Sequence, residues 1–235
     1  MKQILSVVIA ISLITISCSK KQAPTLQLSP HSWDETNKYQ IYLDTALVGT
    51  HRLIYRSLSE PEPLIELQSI SEIKHATAIS RDSTILLLRQ HNLKPIFSSK
   101  TLLTGGALMT SEVKYNNNKA TIKAHLPHGE KSIDIPINAN TYDNDQITTI
   151  LRAINLNSNE EKEITVVIGL SGTTIPMKIK LVGDEKVKVP AGEFECHKYL
   201  LSFLGREVYI WYEKTSAIRM IKYFDSTMKM TMELL

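Results

Sequence analysis

Ile175-Pro176-Met177-Lys178-Ile179-Lys180-Leu181 alternates apolar and polar side chains with a period of two. Successive side chains of a β-strand point to opposite faces, so this stretch has one apolar face and one wet face. The same alternation runs through Ala120, Ile122, Ala124 and Leu126, and through Ile133, Ile135 and Ile137. It returns at the end of the chain as Met228, Met230, Met232 and Leu234. One-sided strands of this kind pair antiparallel, because parallel strands are usually covered on both faces. Turn-forming clusters separate the segments: Ser59 to Pro63, Thr104-Gly105-Gly106, Asn116-Asn117-Asn118 and Pro190-Ala191-Gly192. About a dozen strands result, and an open twisted sheet of that size curls or splits.

One segment breaks the pattern. In residues 142–155 (YDNDQITTILRAIN), Ile147, Ile150, Leu151 and Ile154 recur at the spacing of one helical stripe. Asp143 and Gln146 have the three-residue separation of a capping box that would start the helix. A lone apolar-faced helix among antiparallel strands buries its stripe against the concave side of the sheet. The expected fold is therefore mainly β: a strongly curved antiparallel sheet, half-barrel or near-closed barrel, with one amphipathic helix across its concave side.

Outward from this body, the N-terminus carries an address. Lys2 precedes residues 4–16, which hold ten apolar side chains of thirteen. The run is shorter than the roughly 20 residues of a spanning helix and reads as a secretory signal peptide. It ends in Leu13-Ile14-Thr15-Ile16-Ser17-Cys18, which is similar to the lipobox of bacterial lipoproteins, with Thr15 where leucine is usual. In that chemistry the cysteine thiol is diacylated and becomes the new N-terminus. More than one acyl chain gives stable anchoring. Ser19 is not the aspartate that retains lipoproteins in the inner membrane of enteric bacteria, so the expected site is the outer membrane facing the periplasm. The organisation expected is a signal peptide at 1–17, a flexible tether at 18–32 and one β-rich domain at 33–235.

Composition narrows the function classes. Lys plus Arg number 27 against 24 acids in 235 residues, too balanced to call for a nucleic-acid partner. The two cysteines, Cys18 and Cys196, exclude a disulfide framework and a Cys-rich metal site. With Cys18 acylated, Cys196 reads as a small buried hydrophobe rather than a nucleophile. His125 and His128 flank Leu126-Pro127 without a third ligand at useful spacing, and read as polar loop residues. Gly169-Leu170-Ser171-Gly172 is one residue short of a nucleophile elbow and reads as a hairpin turn. No nucleophile–base–orienter set emerges, and no motif calls for a metal or cofactor; the chain is expected not to be an enzyme.

Four blocks in order resemble a family of secreted bacterial proteins, domain of unknown function 3108. They are Tyr39 to Leu43 with Val48-Gly49-Thr50; Tyr142-Asp143 running into Ile150-Leu151-Arg152; Val187 to Lys198 around Pro190-Ala191-Gly192-Glu193-Phe194; and Tyr209 to Tyr212 with Ile221-Lys222-Tyr223. The resemblance implies a fold similar to Lol-type lipoprotein carriers, a curved half-barrel with helix cover and an apolar cavity. Thr148 and Thr149 depart from it, since the family's helix is usually more apolar there.

Two functions stay open. In the first, a lipid or other apolar small molecule occupies the concave side. Ile147, Ile150, Leu151 and Ile154 form its lid, and Trp211, Met228, Met230 and Met232 its deformable wall. In the second, a structural or assembly lipoprotein with a packed core acts through contacts with envelope proteins. An envelope hydrolase would need His125, His128 and a carboxylate to converge in a pocket.

Overall fold

The computed structural model describes residues 33–59, 62–74, 78–158 and 160–235. Cys18, the signal peptide and the tether lie outside the described residues.

A first meander comprises β1 (Glu35–Leu43), β2 (Ala46–Leu58), β3 (Leu64–Lys74), β4 (Ile79–Arg89), β5 (Pro95–Thr104), β6 (Ala107–Tyr115), β7 (Lys119–Leu126) and β8 (Gly129–Pro136). After β9 (Thr141–Asp143), a 3-10 turn (Asn144–Gln146) and the helix α1 (Ile147–Ala153), a second meander follows. It comprises β10 (Glu161–Ile168), β11 (Thr173–Val189), β12 (Gly192–Phe203), β13 (Arg206–Glu213), β14 (Met220–Asp225) and β15 (Met230–Leu234). β1 pairs with β15, which fuses the two meanders into one 15-stranded sheet running from β8 at one edge to β9 at the other. All pairings are antiparallel except β9 with β10, and α1 is the crossover that such a parallel pair requires.

The connectivity itself forces the curvature. Strands lie about 4.8 Å apart, so a flat sheet of this order would set β8 and β9 almost 70 Å from each other. Only residues 137–140 join them, and such a link spans at most about 18 Å. The sheet must therefore roll up until its edges meet. They touch without forming a ladder: Val167 of β10 packs with Val113 of β6 and Ile122 of β7, and Lys131 Nζ donates to the Ser171 carbonyl at 2.8 Å. The result is a curved, unclosed barrel-like sheet.

Inside it, the inward side chains of both meanders form one apolar cluster, from Tyr39, Ile41, Leu53 and Ile65 to Ile179, Ile210 and Leu234. The helix belongs to this cluster through Ile147, Ile150, Leu151 and Ala153. The capping box forms as its spacing predicts: Asp143 accepts from the Asp145 N–H, and the Gln146 side chain accepts from the Asp143 N–H at 3.0 Å. It caps the 3-10 turn, and the helix is seven residues long, bounded by that turn before Ile147 and by the extended backbone of Ile154 after Ala153.

Neighbouring strands crowd at Gly49, opposite Ile41 on β1 and Ile73 on β3. A Cβ there would sit 2.0 Å from the Glu72 carbonyl oxygen, a backbone atom that cannot swing away. Gly49→Ala should lower stability by about 2 kcal/mol or more, measured by urea unfolding. An unchanged midpoint would contradict the tight β2–β3 approach.

Candidate functional site

The hairpin registers sort the barrel's turns into two ends. The turns at 44–45, 105–106, 169–172, 204–205 and 226–229 share one end, and those at 90–94, 116–118, 190–191 and 214–219 share the other. At the first end a cavity of about 430 Å³ runs between the sheet and the start of α1.

Its wall is built by alternation. Ile175 and Met177 of β11, Leu201 and Phe203 of β12, Val208 and Ile210 of β13, and Met230 and Met232 of β15 all point inward. Ile147 of α1 closes it from above, and Leu204, 73% exposed in its turn, marks the mouth. One corner is polar, where Ser69, Asn144 and Asp145 face the space. Behind them Lys100 Nζ reaches Asp82 Oδ1 at 2.8 Å and Asp145 Oδ1 at 3.1 Å. Burial opposes that ammonium's charge, but the two carboxylates outweigh it and raise its pKa above the usual value. His51 donates to or accepts from Ser71 Oγ at 2.8 Å, and burial, with Lys100 nearby, lowers its pKa to about 4. At the mouth Arg206 pairs with the buried Asp225. The cavity therefore offers an apolar body with polar groups confined to one corner and the rim.

Of the residues picked out from sequence, Ile147, Met230 and Met232 line this cavity. Ile150 is fully buried in the core beside it. Leu151 lies at the other end of α1 and Ile154, expected in the helical stripe, is corrected: it follows the helix in extended backbone; both border a smaller space of about 230 Å³. Met228 is corrected: it sits in the 226–229 turn, 54% exposed, because Asp225 Oδ1 accepts the N–H groups of Thr227 and Met228 and ends the alternation. Trp211 is also corrected. Its neighbours Ile210 and Tyr212 point inward, whereas its indole N–H donates to Glu185 Oε2 at 3.1 Å and its ring lies under the Lys198 ammonium. It faces away from the cavity.

Sequence reading missed the polar anchor of the helix. Arg152, its side chain 3% exposed, donates to Glu35 Oε1 at 2.6 Å and to the Ala217 carbonyl at 2.9 Å. Its guanidinium also lies 4.9 Å from the Trp33 ring and 5.0 Å from that of Tyr55. The Tyr212 hydroxyl donates to the Thr148 carbonyl at 2.6 Å, and the Tyr55 hydroxyl lies 3.3 Å from Thr149 Oγ1. Of the two threonines, Thr149 is thus seated against Tyr55, whereas Thr148 lines the cavity and only its backbone carbonyl meets a tyrosine.

The remaining candidates fall elsewhere. Cys196 is buried, and burial pushes its thiol up to about 11, which suits a small hydrophobe. His125 pairs with Glu130 at 3.1 Å on the exposed β7–β8 hairpin, and His128 lies in its turn. Residues 169–172 form the β10–β11 turn.

Residues 38–233 match the model of the family described as protein of unknown function (DUF3108), and the chain belongs to that family. No curated protein sequence matches it. A crystal structure of a beta-barrel-like protein of domain of unknown function DUF1849 from Brucella abortus is similar at a TM-score of 0.56. The two share 9% identity over 89% of this chain and 97% of that one, a likeness of fold alone. A putative exported protein with YmcC-like fold from Bacteroides fragilis aligns over 90% of this chain and 98% of its own, at 10% identity and a TM-score of 0.29.

Proposed function

We propose that this member of the DUF3108 family is a cell-envelope lipoprotein, anchored through Cys18 at the periplasmic face of the outer membrane, that holds a lipid or other apolar ligand. The observation that carries the reading is the 430 Å³ cavity of inward Ile, Leu, Val, Phe and Met side chains that the chain leaves unfilled. Small-molecule sites typically have about 300–1,000 Å³, mostly apolar walls and few polar groups. Met177, Met230 and Met232 give that wall unbranched side chains that repack around varied shapes. The lone polar corner suits one end of an amphiphile. In this reading the protein binds and does not catalyse.

Native mass spectrometry after mild extraction from membranes, with titration of a fluorescent fatty acid, tests the idea. Ile175→Trp, which places an indole in the cavity, should weaken fatty-acid binding at least tenfold while leaving the melting temperature within a few degrees. A protein that is consistently ligand-free and ignores the fatty acid would overturn the proposal. Cys18→Ser should move the protein from the membrane to the soluble fraction.

A second reading, a structural or assembly lipoprotein acting through envelope protein contacts, is favoured by one observation. Thr149, Ile150 and Leu151 are buried to 1% or less, so α1 itself fills much of the barrel. Crosslinking from intact cells separates the two: a defined protein partner for the ligand-free chain supports the second.

A further inference from the structure

At the end of the barrel opposite the apolar mouth, the 90–94 and 116–118 turns and the 137–140 connection enclose another cavity, of about 460 Å³. Its chemistry is the reverse of the first. Arg89, His91 and Lys94 line it with the amides of Asn92, Asn116 and Asn138, and no described carboxylate does.

Two of the amides have their orientation fixed by their own turns. Asn92 Oδ1 accepts the Lys94 N–H at 2.9 Å, and Asn138 Oδ1 accepts the Asn140 N–H at 2.8 Å and the Thr141 hydroxyl at 3.3 Å. With each amide oxygen committed, the NH2 group of each remains to serve a ligand. The Lys94 ammonium donates to the carbonyls of Ala139 and Thr141 and lies 3.4 Å from the Tyr142 ring centroid. These contacts aim it but supply no negative charge, and burial lowers its pKa to about 8. Among the described residues Arg89 pairs with Glu62 at 3.9 Å, both side chains a third or more exposed, a loose pair that water screens. Asp143 is turned to the hydroxyl of the lining residue Tyr115, from which it accepts at 2.7 Å.

Two cations and two amide donors therefore face this space, and no described carboxylate lines it. The geometry points to a binding site for a small organic phosphate, with Arg89 and Lys94 on the phosphoryl oxygens and Asn92 and Asn138 donating to the oxygens of the attached body. Two cations facing one space match a divalent anion, and the guanidinium fork matches phosphoryl oxygens in pairs. A bare phosphate ion would leave most of the cavity unfilled, so the occupant carries an organic portion. The site shares no lining residue with the apolar cavity and stands or falls independently of it.

Titration calorimetry of the full chain with glycerol 3-phosphate, inorganic phosphate and glycerol tests the assignment. Glycerol 3-phosphate should bind at least tenfold tighter than inorganic phosphate, and glycerol should not bind. Arg89→Gln, at a partly exposed position, should weaken binding at least tenfold with an unchanged melting curve. Lys94→Gln should weaken binding to a similar degree and also lower the melting temperature, because it releases the Ala139 and Thr141 carbonyls. A second readout is the Lys94 ammonium by NMR, whose pKa should rise towards the ordinary lysine value when glycerol 3-phosphate is added. Vesicles containing phosphatidic acid, against phosphatidylcholine alone, distinguish the sources. Arg89-dependent binding to them assigns a lipid headgroup, and binding of free glycerol 3-phosphate alone assigns a soluble metabolite. Failure of both glycerol 3-phosphate and phosphatidic acid to bind overturns the proposal. So does binding that persists unchanged in Arg89→Gln and Lys94→Gln.

Discussion

Glu35→Ala is expected to destabilise the protein by about 3–5 kcal/mol, and Arg152→Met by clearly less. The asymmetry follows from burial. The Arg152 side chain is 3% exposed and that of Glu35 is 21% exposed. Removing Glu35 strands a guanidinium that keeps only neutral partners, among them the Ala217 carbonyl, the Tyr55 hydroxyl and the faces of Trp33 and Tyr55, with its Nε already unpartnered. Breaking a buried pair in this way typically costs about 3–5 kcal/mol, because the surviving charge cannot reach water. Removing Arg152 instead leaves a carboxylate that can rehydrate and that still accepts from Asn37 Nδ2 at 3.0 Å. Methionine also keeps much of the apolar stem in place. The double variant should be more stable than Glu35→Ala alone, the non-additivity expected of a direct pair. For a domain of this size about 1 kcal/mol moves the melting temperature by about 2–4 °C, so Glu35→Ala should fall by roughly 10 °C. Urea unfolding followed by tryptophan fluorescence measures all three, with Trp33 as a reporter beside the pair. An Arg152→Met loss equal to or larger than that of Glu35→Ala would contradict this account.

The same pair shows where sequence reading stops. Alternation from Ile175 to Leu181 fixes the inward face of β11, and the Asp143–Gln146 spacing fixes a cap, because both signals are local. Arg152 and Glu35 are 117 residues apart, and only the rolled sheet brings them together. An amphipathic pattern predicts that one helix face meets solvent. Here the sheet wraps both faces, so the polar side meets tyrosines and a glutamate instead. Met228 continues an apolar alternation, yet the Asp225-Ser226-Thr227 run before it is turn chemistry that outranks period two. Tyr209 to Tyr212 are all apolar or aromatic, so alternation is silent on which of them turn inward, and Trp211 was open to either face. The curvature was legible as a consequence of strand number, but the cavities were not, since a void is set by what neighbouring side chains fail to fill.

Asp143 gives a pH dependence whose sign is opposite to that of an ordinary paired carboxylate. Burial first, and then the Asp145 charge beside it, push its pKa up from 3.8 to about 6 against the hydrogen bonds it accepts from Tyr115 and Asp145. Below about 4 the folded and unfolded chains both hold the proton. Between about 4 and 6 the unfolded chain releases it while the folded chain keeps it, so the stabilisation fades as pH rises. Above about 6 the folded chain must carry a buried carboxylate, and the loss is complete. A pKa difference of this size corresponds to about 2–3 kcal/mol. His51 works in the other direction: its pKa of about 4 favours the folded chain above the ordinary histidine value of 6.5 and loses that advantage as pH falls. The parent's own profile therefore mixes both groups, and the informative quantity is the difference between parent and Asp143→Asn. Asparagine caps a helix about as well as aspartate, its oxygen can still accept the Asp145 N–H, and it carries no charge to bury. Asp143→Asn should match the parent near pH 4 and exceed it by about 2 kcal/mol at pH 8 in urea unfolding. Parallel profiles for the two proteins would mean that Asp143 is ionised at little cost. The same carboxyl caps the turn that sets Asn144 and Asp145 on the polar corner of the apolar cavity.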